Sequence, residues 1–245
     1  MVRTFTLVAL VIALTACGST QEPEPDHAAR ATRTEEPAAV DDGMVVEGLR
    51  GTLQRDEVDP VLNRASRRFQ QCYIDAYADH PYLVGTLRLQ FTVGGDGSVQ
   101  TVWVQSSTLG SSEVESCILG IARSLSFPHP HGGSEANFEY GPMELSSDDH
   151  HPFDEWTAAD LPSESEDDEP PVTEVISGVE DTCLSGDSGY GVTAYIGPGG
   201  RVRSIEAVAP SASQQDHARC LERELADIAF PDPGEGRIAK LTLEL

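Results

Sequence analysis

An α+β fold, built as two tandem copies of one small domain with antiparallel sheets, is predicted by three observations. The stretch from Gly85 to Pro130 recurs without a gap near the C-terminus: Val93, Gly94, Gly97, Val99, Cys117, Phe127 and Pro128 find Ile196, Gly197, Gly200, Val202, Cys220, Phe230 and Pro231, each pair 103 residues apart. Apolar residues alternate with polar ones at Leu87, Leu89, Phe91 and Val93, the period of a half-buried strand. Val58, Val61, Leu62, Ala65, Phe69, Cys72, Tyr73 and Ala76 fall on one stripe of a helix. Hairpins joined by amphipathic helices bury both kinds of apolar face when the helices lie on one side of the sheet.

At the N-terminus, Arg3 precedes an apolar run from Phe5 to Leu14 and then Thr15, Ala16 and Cys17, the layout of a secretory signal and too short to span a bilayer. Leu14-Thr15-Ala16-Cys17 resembles the lipobox of bacterial lipoproteins. That resemblance implies that residues 1–17 are a signal ending at a lipidated Cys17. Gly18 and Ser19 lack the aspartate that retains such proteins in the inner membrane, which implies an outer-membrane anchor facing the periplasm. The alternative is an ordinary cleaved signal with a free Cys17. Residues 18–43, rich in Pro and acidic groups, carry too little apolar surface to offset the entropy of ordering and are expected to be a disordered tether.

The first copy is expected over residues 44–145. Val45, Val46 and Leu49 suggest a short strand. The helical stripe follows, with Asp56 as its cap, Pro60 in its first turn and Pro81 beyond its end. A strand through Leu87–Val93 leads to Gly94-Gly95-Asp96-Gly97, which supplies the positive φ angles of a hairpin, and Val99–Val104 returns. Ser112 is placed to cap a second helix with Val114, Cys117, Ile118, Ile121 and Leu125 on one face. A last strand holds Phe138 and Tyr140. The resulting order is β-α-β-β-α-β.

Residues 146–171 are acidic, end in Pro170-Pro171 and read as a disordered linker. Over residues 172–245 the second copy supplies a strand through Tyr190, Val192, Ala194 and Ile196, a turn at Gly197–Gly200, a return strand, a helix with Cys220 and Leu221, and a last strand through Leu241, Leu243 and Leu245. Only about eleven residues separate Val172 from Cys183, too few for the long first helix, so a trimmed β-β-α-β copy is expected.

Gln71-Cys72-Tyr73, Pro81 with Gly85, the Gly-Gly-Asp-Gly turn, Ser106-Ser107, Cys117-Ile118 and Phe127-Pro128 with Pro130 and Gly132-Gly133 resemble the AgmX/PglI C-terminal domain, a family similar to the TonB C-terminal domain. The likeness covers about residues 44–145. It implies a non-enzymatic, protein-binding module of a cell-envelope complex, in motility or transport, with unidentified envelope partners and no cofactor. TonB itself has an N-terminal membrane helix, which a lipid signal replaces here. The TonB-like resemblance also implies a small sheet with an open edge, to which an extended peptide can add a strand. The candidate edges are Lys240, Leu241, Thr242, Leu243, Glu244 and Leu245 at the C-terminus, or Asn137 to Tyr140 in the first copy.

Sixteen basic against 41 acidic residues give a formal charge of −25, which repels phosphate backbones and makes nucleic acid an improbable partner. With Cys17 set aside, four cysteines allow three pairings. Each copy has one helix cysteine and one upstream, so Cys72 is expected to pair with Cys117 and Cys183 with Cys220; buried reduced thiols are the alternative. His129 and His131, and Asp148-Asp149-His150-His151, contain metal-ligating groups but not on a fixed helix or strand, so no metal site is expected. Gly186-Asp187-Ser188-Gly189 resembles the nucleophile segment of trypsin-like proteases, yet a two-barrel protease has no room here and the residues suit a turn. A metal-binding protein or an envelope enzyme using His129, His131 or Ser188 is the competing functional reading. Trp103 and Trp156 are further candidates for anchoring a partner.

Overall fold

The computed structural model describes residues 50–164 and 170–245. The signal, Cys17, the tether and the strand candidate at Val45–Leu49 lie outside the described residues. Among these residues no helix is long and apolar enough to cross a membrane.

Helix α1 spans Arg55–Tyr77 and buries all eight residues of the stripe that its sequence predicts. Its N-cap is Gln54 rather than Asp56, because the Glu57 side chain returns to accept the Gln54 backbone N–H at 2.8 Å. Pro60 falls in the second turn. Strands β1 (Gly85–Gly94) and β2 (Val99–Ser107) form the expected hairpin, and β3 (Glu135–Leu145) pairs antiparallel with the other side of β1. Leu87, Leu89, Phe91 and Val93 are fully buried against α1 and α2 (Ser112–Arg123), which Ser111 caps by accepting the Val114 N–H. The sheet order is β2-β1-β3.

The second copy keeps its first helix, contrary to the expectation of a trimmed unit. Helix α3 (Val172–Leu184) is a 13-residue counterpart of α1, and it ends beside Cys183. The second copy loses residues in the helix itself, 13 against 23 in α1, while the connection to the next strand is nearly as long, residues 185–190 against 78–84. Strands β5 (Gly191–Gly197) and β6 (Arg201–Val208), helix α4 (Gln215–Ala226) and strand β7 (Ala239–Glu244) follow.

The expected linker is also corrected. Within 146–171, β4 (Asp154–Thr157) runs parallel to β7 and completes a mixed sheet of order β4-β7-β5-β6, and Leu161 is buried under it. A four-residue parallel strand in an acidic stretch leaves little trace in sequence; Trp156 and Phe153 are its only apolar anchors.

The two copies are not independent beads. Val192, Ala194 and Ile196 of β5 face their own core, but Thr193 and Tyr195 on the opposite face are buried too, and Tyr195 belongs to the core of the first copy. Its ring packs 4.9 Å from Tyr82 and 5.6 Å from Phe153. The Val84 N–H donates to its hydroxyl at 3.1 Å, and the hydroxyl donates to the Val84 carbonyl at 3.0 Å.

Candidate functional site

Both cysteine pairs form as expected. Cys72 joins α1 to α2 through Cys117, and Cys183 joins α3 to α4 through Cys220. Each bridge ties together two helices that lie on the same face of a sheet.

The C-terminal strand is not an edge. β4 occupies its outer side from Asp154 opposite Ala239 to Thr157 opposite Thr242. Leu241 and Leu243 are buried, Thr242 and Glu244 are exposed, and Leu245 exchanges backbone hydrogen bonds with Tyr190. Lys240 is spent inside the molecule: its ammonium donates to the Val84 carbonyl at 2.7 Å and lies over the Phe153 and Tyr195 rings. Burial lowers its pKa, against the pull of Glu206 and Glu155.

Among the described residues the other candidate edge is largely open. β3 pairs with β1 on one side; on its outer side Arg50 and Gly51 reach only its first residue, where Gly51 donates its backbone N–H to the Glu135 carbonyl at 2.6 Å. Beside residues 138–145 a groove of about 580 Å³ runs between this edge and α1. Its floor is apolar, with Leu53, Val58, Leu62 and Phe69 facing Phe138 and Met143. Val58, Leu62 and Phe69 of α1 belong to the buried core of the first copy, and Leu53, Phe138 and Met143 are partly buried against it. Arg55, Asp59, Glu139 and Glu144 line the rim. Tyr140 reaches under α1, where burial and then Asp59 raise the pKa of its hydroxyl.

A second cleft of about 450 Å³ lies between the copies. Val104, Ser112, Glu115, Ser116 and Leu119 line it from the first copy, and Ala207, Gln215, Ala218, Arg219 and Glu222 occupy the same positions of the second, each 103 residues on. Equivalent surfaces face one another, as in an isologous dimer made within one chain. Glu115 and Glu206 are buried there among apolar residues, a feature that helical periodicity does not foreshadow, since α2 turns Glu115 rather than Cys117 into the packed face.

The remaining candidates are structural or exposed. His129 is hydrogen-bonded through Nδ1 to the Gly95 carbonyl at 2.7 Å, and His131 meets Glu57 at 2.9 Å. Among the described residues no group of three or more His, Cys, Asp or Glu side chains is placed to hold a metal ion. Ser188 is exposed on the loop after α3. Next to it, Asp187 lies 3.4 Å from Nδ1 of His217, but that nitrogen also meets the Tyr190 hydroxyl at 2.8 Å, and no hydrogen bond joins Ser188 to the imidazole. Trp103 and Trp156 are half-buried on β2 and β4.

No family model, curated protein or solved structure matches this chain.

Proposed function

We propose that this chain is a lipid-anchored adaptor of the bacterial cell envelope that binds an extended segment of a partner protein along β3. The observation that carries the reading is the outer edge of β3, largely open among the described residues, beside the groove that it forms with α1. An unpaired strand offers backbone N–H and C=O groups, and the groove offers pockets for every second side chain of an added strand. The lipobox-like Leu14–Cys17 supports an outer-membrane anchor, and the AgmX/PglI-like and TonB-like motifs support an envelope role. The site moves from the C-terminal strand to the first copy, because β4 covers the former.

A photo-crosslinking amino acid placed at Glu144, on the groove rim, tests this in the full chain expressed with its signal. Crosslinks to one partner from Glu144, absent when the same group stands at exposed Thr242, are expected. Equal capture from both positions contradicts the reading. In the same cells, Cys17→Ser is expected to abolish lipid labelling and release the protein from membranes.

A further inference from the structure

Glu115 on α2 and Glu206 on β6 come from different copies and meet in the interface between them, 6 % and 0 % exposed. Each carboxyl has one oxygen, Oε1, that is fully buried and finds no partner among donors of the protein. Two ionised carboxylates cannot hydrogen-bond to each other, because both only accept. If one is protonated, its O–H donates to the other and the pair is satisfied, which is how buried polar groups are found in folded proteins.

The surroundings favour one proton rather than two or none. Glu206 accepts the backbone N–H of Ser111 at 3.2 Å and interacts with the Lys240 ammonium of β7, so it has one donor and a counter-charge. Tyr195 of β5 faces the same carboxyl with a hydroxyl already committed to Val84. Glu115 has only the Ser107 hydroxyl in its favour as an anion; burial, Glu206 and Glu222 of α4 all oppose its charge. Burial, the largest influence, raises the pKa of Glu222 and Glu206 adds to it, against the Ala207 N–H that it accepts at 3.0 Å and the pull of Arg219, which pairs with Asp216. The proton therefore belongs on Glu115.

We propose that a single proton shared by Glu115 and Glu206 latches the two copies together, and that its loss in alkaline surroundings loosens the interface between α2 and β6. The latch is independent of what occupies the β3 groove. It makes folding take up a proton, so the folding equilibrium constant falls by up to tenfold per pH unit once the unfolded carboxyl is ionised and the folded one is not.

The test is urea unfolding of the oxidised full chain between pH 6 and 9, for the natural protein and for Glu115→Gln, whose amide donates permanently to Glu206. The natural midpoint is expected to fall with rising pH and that of Glu115→Gln to fall less. Parallel slopes for the two proteins overturn the latch. Should the variant not fold, the side-chain carboxyl carbon of Glu115, followed by NMR in the natural protein, decides the matter: titration above pH 6 supports the latch, and titration near that of an exposed glutamate overturns it.

Discussion

Phe127 donates its backbone N–H to the carbonyl of Gly97 at 2.8 Å, and Phe230 does the same to Gly200 at 2.9 Å. In both copies the segment after the second helix is pinned to the hairpin turn by this bond. Gly97 and Gly200 have φ values of 81° and 70°, and a Cβ on either would run into the carbonyl oxygen of the phenylalanine it binds. The repeat in the sequence is thus the record of one tertiary contact made twice.

Gly97→Ala and Gly200→Ala are expected to cost on the order of 3 kcal/mol each, from left-handed strain together with displaced backbone. Gly132→Ala, also at positive φ but with open space around it, is expected to cost only about 1 kcal/mol. Chemical denaturation of the three variants checks the order; equal losses would contradict it.

Tyr195 couples the copies, so the described residues are expected to unfold in one cooperative transition. Tyr195→Phe leaves both Val84 backbone groups without its hydroxyl and is expected to cost about 1 to 3 kcal/mol. Calorimetry that resolves two separate transitions in the natural protein would contradict the shared core.

The two bridges close loops with sequence separations of 45 and 37 residues. On the chain-entropy model each stabilises by about 4 kcal/mol, a large part of a small domain's total. Paired replacement of Cys72 and Cys117 by serine, and separately of Cys183 and Cys220, is expected to lower the unfolding midpoint by similar amounts. Peptide mapping without reduction is expected to find no bridge between the copies.

Asp232 accepts the backbone N–H groups of Gly234 and Gly199, both at 2.9 Å, and these bonds hold its pKa below the ordinary aspartate value. A carboxyl depressed in the folded state contributes stability at pH above its unfolded value and loses it as pH falls through the folded one. The advantage of the natural protein over Asp232→Asn is therefore expected to be constant near pH 5 and to shrink below about pH 3.8, the unperturbed value. Unfolding midpoints measured from pH 5 to pH 2.5 check this.

What the sequence made legible was whatever repeats or has a period. All eight stripe residues of α1, the positive φ of Gly97 and both cysteine pairings are found as expected, whereas Gly94 and Gly95 of the same turn do not adopt a positive φ. Helix α3 escaped because the shared 103-residue offset starts after it and because a helix of 13 residues, against 23 in α1, looked like a missing one. The inward Tyr195 escaped because strand alternation reports that one face is apolar and says nothing of what covers the other. For the same reason the C-terminal strand looked open: its cover, β4, comes from an acidic stretch with little apolar pattern to announce a strand. The β3 groove was legible only as the weaker of two candidate edges, since α1 and β3 meet through tertiary packing.

A partner segment that adds to β3 protects the backbone it pairs with. The most direct test is amide hydrogen exchange of the full chain with and without the partner segment identified by crosslinking at Glu144. Added protection is expected on backbone amides between residues 137 and 145, with β7 unchanged. Protection confined to β7, or to the cleft between α2 and α4 with none in β3, would contradict it.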